Sequence, residues 1–262
     1  MDLGLAGRVA LVTGGSKGIG LACARAFASE GAVVAMCSRS DENLARAIGA
    51  VGDAGGRAVP FRCDLADPAA AAGLVAAVEG RLGPLDVLVN CAGAARRTAP
   101  ERLDASAWRL AMEAKYFTYI HAMQAALPGM AARRRGSIVN VVGQGGKQAS
   151  ATHLPGGAAN AALMLASAGL AAAFGKSGVR VNVINPGLTL TDRAEQAFEA
   201  EACRLGVSKD EARRAGAERI PLGRYAEPAE VASVAVFLAS DRASYVTGAI
   251  LAMDGGSAAT VV

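Results

Sequence analysis

The sequence predicts an α/β fold, a single doubly wound parallel sheet with helices on both faces. Three observations carry this. Short, nearly continuous apolar runs alternate with longer helical patterns, the pattern of strands buried on both sides. The first apolar run closes on a glycine-rich turn and opens directly into a helical pattern. At 262 residues the chain can bury one large core undivided.

The elements follow in order. "RVALVTG" (8–14) reads as a strand bounded by glycine, and "GIGLACARAFASEG" (18–31) as a helix closed by Gly31. "AVVAMCSR" (32–39) is a strand and "DENLARAIGAVGDAG" (41–55) a helix. "AVPFRCDL" (58–65) is the third strand; the helix at 67–83 has Asp67 as its N-cap and Pro68 at its first position. "LDVLVNCAG" (85–93) is a strand, followed by a long helix over 108–130 and the strand "GSIVNVVG" (136–143). A helix over 156–175 precedes the strand "VRVNVINPG" (179–187), and a helix over 228–239 precedes the strand "AILAMDGG" (249–256). The segment at about 188–225 is charged, helical in pattern and outside the alternation, which marks a substrate lid or loop on a single domain spanning 1–262.

Composition narrows the function classes. Apolar residues make up 52% of the chain and aromatic residues 4%, with Ala and Gly dominant, which suits helices packed closely on a sheet. A net charge of +4 and one basic run, Arg133-Arg134-Arg135, fall short of a nucleic-acid face; the run reads as a solvated helix end. The five cysteines, Cys23, Cys37, Cys63, Cys91 and Cys203, have no CxxC spacing and read as buried free thiols in a reducing compartment. Two histidines, unclustered with cysteine, argue against a metal site. "VALVTGG" (9–15) lacks the features of a secretion signal, and the apolar stretch 158–174, broken at Gly169, is short for a bilayer, so a cytoplasmic protein without a membrane partner is expected.

"TGGSKGIG" (13–20) lies in the first strand-to-helix turn. Gly14 permits the tight turn, and Gly18 and Gly20 let the backbone approach a pyrophosphate that faces free N–H groups at the helix start; Ser16, Lys17 and Ile19 share the loop. In this context the pattern predicts a bound dinucleotide. The second strand ends "CSRS", with Arg39 and no acid before Asp41. A carboxylate there would bind the ribose 2′-hydroxyl of NAD, whereas Arg39 with Lys17 favours the 2′-phosphate of NADP, NAD being the second choice.

Taken together these residues resemble the short-chain dehydrogenase/reductase family, and the match covers almost the whole chain. "CDLAD" (63–67) is similar to its third-strand motif, which places Asp64 and Leu65 near the adenine. "NCAG" (90–93) resembles its fourth-strand Asn-Asn-Ala-Gly, with Asn90, Ala92 and Gly93. "NPGLTLTD" (185–192) resembles the segment in which Pro186, Gly187 and Thr191 would flank the nicotinamide. "PLGRYAEPAEVA" (221–232) and "MDGG" (253–256) resemble its C-terminal signature. The resemblance implies a Rossmann fold, an NAD(P)-dependent oxidoreductase acting on a small carbonyl or alcohol, and a homotetramer or dimer. In the tetramer, the helices at 108–130 and 157–174 pair across one interface.

The same resemblance exposes a departure. The family's catalytic set is Asn, Ser, Tyr and Lys. Aligning "NAALMLASAGLA" on the family's Lys-Ala-Ala-Leu helix puts Asn160 at the Lys position and Gly156 at the Tyr position. Aligning the fifth strand puts Gly143 at the Ser position, and Lys115 falls at the Asn position. Two glycines cannot transfer a proton.

Four residues are candidates to replace the set. Lys115 in a partly dry cleft is a base or an electrostatic stabiliser, or else fills volume and binds ribose. His153 is a general acid-base or a loop histidine. Gln144 and Asn160 are hydrogen-bond donors. Lys147, Ser150 and Thr152 are weaker options, Tyr119 shares a helix face with Lys115 but reads as core, and Trp108 reads as a packing anchor. Alternatives to the oxidoreductase are a hydrolase, lyase or isomerase on this scaffold, or a silent NADP(H)-binding regulatory protein.

Overall fold

The computed structural model describes residues 2–93 and 97–258; Met1 and residues 259–262 of the expected domain lie outside them. Seven strands form one sheet: β1 Val9–Thr13, β2 Val33–Ser38, β3 Arg57–Arg62, β4 Leu85–Asn90, β5 Gly136–Val141, β6 Val179–Pro186 and β7 Ile250–Met253. They lie in the order β3-β2-β1-β4-β5-β6-β7, every pairing parallel. The helices are α1 Gly18–Ser29, α2 Asp41–Gly52, α3 Pro68–Leu82, α4 Ala105–Ala111, α5 Thr118–Ala132, α6 Leu154–Phe174, α7 Asp192–Leu205, α8 Lys209–Glu218 and α9 Pro228–Ala239. The predicted doubly wound architecture is the observed one.

Local chemistry sets the boundaries. Ser40 caps α2 by accepting from Asn43 N at 3.2 Å, and Asp67 caps α3 by accepting from Ala69 N at 2.8 Å. Pro60 sits in β3, an edge strand that can spare a backbone donor. One core lies between the sheet and α3, α5 and α6, around Tyr119, Met123, Met130 and Leu163. The other lies under α1, α2 and α9, around Phe27, Leu44, Val231 and Leu238. A small third cluster, Ala194, Phe198 and Tyr225, holds α7 and α8 over the carboxyl end of the sheet.

Several expectations need correction. The helix predicted over 108–130 is α4, a wider π-type segment at Met112–Phe117, and α5. Trp108 is no packing anchor: it is 40% exposed. The apolar helix is unbroken at Gly169, and with its last turn runs Leu154–Ser177, long and apolar enough to cross a membrane by length and composition alone; here it packs on β6. Arg133 is not simply solvated, because it pairs with Glu79 at 3.0 Å and donates to Leu85 O at 2.9 Å. Cys23 and Cys37 are buried, Cys63 and Cys91 half-buried, and Cys203 is exposed.

Candidate active site

The strand order reverses between β1 and β4, so the loops after them diverge and open a crevice at the carboxyl ends of the strands. The crevice is a cleft of about 650 Å³. Thr13 shapes its floor: its Oγ1 accepts from Cys91 N at 3.1 Å and Ala92 N at 3.2 Å and donates to Asn90 Oδ1 at 3.3 Å. Gly14 has φ +64, and a Cβ there would sit 2.9 Å from the Ala92 backbone. Only glycine suits both the turn and that approach.

Helix α1 starts with no side-chain cap and no acid in its first turn, so its leading N–H groups and dipole face the cleft uncompensated. Gly14, Ser16, Lys17, Gly18, Ile19, Gly20 and Arg39 line it, with Ala92 and Gly93 on the β4 side and Pro186, Gly187 and Thr191 on the β6 side. Asp41, the nearest acid after β2, is engaged by Arg62 at 3.3 Å. An uncapped helix start beside two cations, with the nearest acid after β2 already paired, fits a dinucleotide carrying a 2′-phosphate.

Three predicted cofactor residues do not line this cleft. Asn90 is fully buried and spends its side chain on Thr13 and on Asn140 Oδ1 at 2.9 Å, so it acts on the loop rather than on a ligand. Asp64 is exposed and holds Ala66 N at 3.1 Å. Leu65 is buried, and its carbonyl lies 2.9 Å from His121 Nδ1.

Lys115 does line the cleft although it is only 8% exposed. The π-type segment, a helical form common at functional sites, carries it. Its Nζ donates to Tyr119 Oη at 2.8 Å and to Val141 O at 3.2 Å, and Tyr119 Oη donates to Val141 O at 2.6 Å. Burial brings the Lys115 pKa down to about 7, the charge of Arg193 adding to the effect. Burial pushes the Tyr119 phenol well up.

The other predicted catalytic residues gather nearby but face differently. Gly143 lines the cleft with φ +119. Asn160, buried, donates to Gly143 O at 3.4 Å. Gln144 donates to Asp254 Oδ2 at 2.5 Å. His153 stands at the start of α6 and outside the cleft lining; its Nδ1 is buried without a partner among the described residues. Burial, then the charges of Arg97, Arg193 and Lys115, hold His153 below its ordinary pKa. Gly156 is buried in the first turn of α6.

Sequence reasoning missed Thr13, and missed Arg193, which lines the cleft from the start of α7. Tyr119 is core, as its reading predicted, and from the helix face it shares with Lys115 it also bonds Nζ.

Residues 14–258 match the family described as enoyl-(acyl carrier protein) reductase. Among curated proteins the chain is 39% identical over 259 residues to the cis-4-hydroxycyclohexanecarboxylate dehydrogenase of Sinomonas cyclohexanicum, covering 98% of each chain. It is 36% identical over 255 residues to the D-threitol dehydrogenase of Mycolicibacterium smegmatis, covering 97% of this chain and 94% of that protein. The L-sorbose reductase from Gluconobacter frateurii, solved with NADPH and L-sorbose, superposes with a TM-score of 0.93 at 33% identity over the full length of both chains.

Proposed function

The chain belongs to the short-chain dehydrogenase/reductase family, and on that premise we propose that it is an NADP-dependent oxidoreductase interconverting a small carbonyl compound and its alcohol through an atypical active site. Its relatives are named for such chemistry on a hydroxy acid, a polyol and a ketose. In the family's register the Asn, Ser, Tyr and Lys positions fall on Lys115, Gly143, Gly156 and Asn160. The observation that carries the proposal is the buried Lys115 in the cleft, with its pKa near neutrality.

When bound, NADP(H) supplies or takes the hydride. The chain does the rest. The α1 N–H groups and Lys17 would hold the diphosphate, and Arg39 the 2′-phosphate. As a carbonyl is reduced its oxygen would take a proton from the Lys115 ammonium, and as the alcohol is oxidised the neutral amine would take that proton back. A pKa near the working pH suits both directions. Gly143 adds no side chain to the cleft that Lys115 lines, while Tyr119 and Val141 O hold Nζ in place. His153, held below its ordinary pKa by burial, serves as a hydrogen-bonding group, and Asn160 positions the Gly143 carbonyl. Helices α7 and α8 act as the lid.

We place the enzyme in the cytoplasm, in keeping with its free thiols. We also propose a homotetramer, since Trp108 and Leu110 on α4 and Leu165 on α6 leave apolar surface uncovered.

The test follows NADPH consumption across ketones and NADP reduction across alcohols, for the native chain and Lys115→Met. We expect turnover that falls about a hundredfold in the variant, with NADPH affinity retained. Turnover unchanged in the variant removes Lys115 from the mechanism. NADPH binding without any turnover replaces the enzyme reading with a silent cofactor-binding protein.

A further inference from the structure

A second cavity, of about 410 Å³, lies under α7 and α8 and meets the cofactor cleft at Leu188, which lines both. Part of its lining is apolar: Leu188, Ala197, Phe198 and Tyr225. The charged part of the lining is unequal in sign. Arg97, Arg204 and Arg219 face one carboxylate, Glu201. Arg204 neutralises Glu201 with two hydrogen bonds, at 2.6 and 2.9 Å. Arg97 and Arg219 are exposed side chains on the lining of the same cavity, and their charges add to that of Arg204 in holding the Glu201 carboxyl below its usual range.

Arg97 and Arg219 form no ion pair among the described residues. Arg97 is nonetheless held: its Nη1 donates to Thr152 Oγ1 at 3.2 Å, and Thr98 N donates to Thr152 O at 2.9 Å, which ties this segment to the loop just before His153. The adjoining cofactor cleft is lined by Lys17, Arg39 and Arg193 against one carboxylate, Asp192. Taken together the two linings carry more cations than carboxylates.

We propose that the substrate carries an oxyanion, a carboxylate or a phosphate, and that Arg97 and Arg219 bind it while its carbonyl or alcohol reaches the Lys115 end of the cleft. Guanidinium forks match both anions in geometry, and the apolar walls suit the carbon skeleton between the two ends. The proposal rests on the carbonyl/alcohol reading of the cleft for the orientation of the substrate. It does not rest on turnover for its test.

Calorimetric titration of the NADPH-loaded protein with three ligands of one skeleton separates the cases: 4-oxocyclohexanecarboxylate, 4-oxocyclohexyl phosphate and the neutral 4-oxocyclohexanecarboxamide. We expect at least one anion to bind about tenfold or more tightly than the amide, the better of the two identifying the source of the charge. Arg97→Gln and Arg219→Gln should each weaken that anion about fivefold and leave the amide within about twofold, an effect reduced by salt. Equal binding of anions and amide, no binding of either anion, or an anion preference that survives in the double variant overturns the proposal. If the preference holds while no ketone is ever reduced, the oxidoreductase reading falls and the anion site stands.

Discussion

Lys115 Nζ lies 2.8 Å from Tyr119 Oη, and both groups donate to the same carbonyl oxygen, that of Val141 at the end of β5. One helical turn separates the two residues, so the helix sets their spacing and the strand fixes their position. Nζ lies 4.4 Å from the centre of the Tyr119 ring, at its hydroxyl edge. The pair therefore offers a lysine held rigidly at the edge of the cleft, shielded from bulk water and able to exist in either protonation state near neutrality.

That poise predicts mirror-image pH profiles. Reduction consumes the ammonium form, so its kcat/KM falls as pH rises through about 7, the value burial imposes on Lys115. Oxidation needs the amine, so its kcat/KM rises through the same pH. Initial rates in both directions from pH 5 to 9 decide it. Parallel profiles, or profiles flat across neutrality, exclude Lys115 as the proton carrier.

The same burial predicts a stability cost. The folded-state pKa of Lys115 lies below its unfolded value, so between about 7 and 10.5 the unfolded chain binds more protons. Stability from this group therefore rises with pH across that window and is lowest, and constant, below about 7. Lys115→Met should melt higher than the native chain at pH 7, by several degrees. The gap should close as pH approaches 10.5, where the native lysine is neutral in both states. Thermal melts at pH 7 and pH 10 test this, and a variant less stable than the native chain at pH 7 contradicts it. The activity and stability arms point in opposite directions, as expected for a residue kept for chemistry.

The sequence carried the sheet because its signals are local. Apolar strands, glycine turns and the Asp67-Pro68 helix start each act through neighbouring residues. The glycine loop with Lys17 and Arg39 was readable for the same reason. Asn90 was not, because its direction depends on Asn140, fifty residues on, which in turn bonds Ser167 on α6 at 2.9 Å. Nor could the sequence choose among Lys115, His153 and Gln144. Lys115 sits on a segment where the helix widens, at Met112–Phe117, and is fixed by Val141 O twenty-six residues on, and Gln144 is held by Asp254 from late in the chain. Periodicity reports which face a helix buries, not a change of helical pitch.

Arg39 lines the cleft at the end of β2, exposed and in no ion pair among the described residues, the nearby Asp41 being engaged by Arg62. Arg39→Ala should weaken NADPH about 10- to 100-fold, the worth of a charge-assisted contact, and leave NADH within about twofold. Nicotinamide fluorescence titrations with both cofactors measure it. An equal loss for both would mean that Arg39 supports the fold of the loop and does not read the 2′-phosphate.

Gly143 decides whether the family's serine could simply be restored. Its backbone has φ +119 and ψ 145, a region that side-chain-bearing residues rarely adopt. Space is not the obstacle, since a Cβ there would meet nothing closer than Asn160 Nδ2 at 3.4 Å. Gly143→Ser should therefore cost about 1–3 kcal/mol through backbone strain alone. Gly146→Ala provides the contrast: its Cβ would lie 2.4 Å from Met164 Cε and 2.7 Å from Ala161 N, so it should be the more damaging of the two. Denaturant melts of both variants, with turnover measured alongside, test the ranking. We expect Gly143→Ser to be folded, weakened and no more active than the native chain, because the proton carrier sits at Lys115. A Gly143→Ser variant that is as stable as the native chain and faster would show that the loop accepts a serine and that chemistry of the family's usual kind still operates in this cleft.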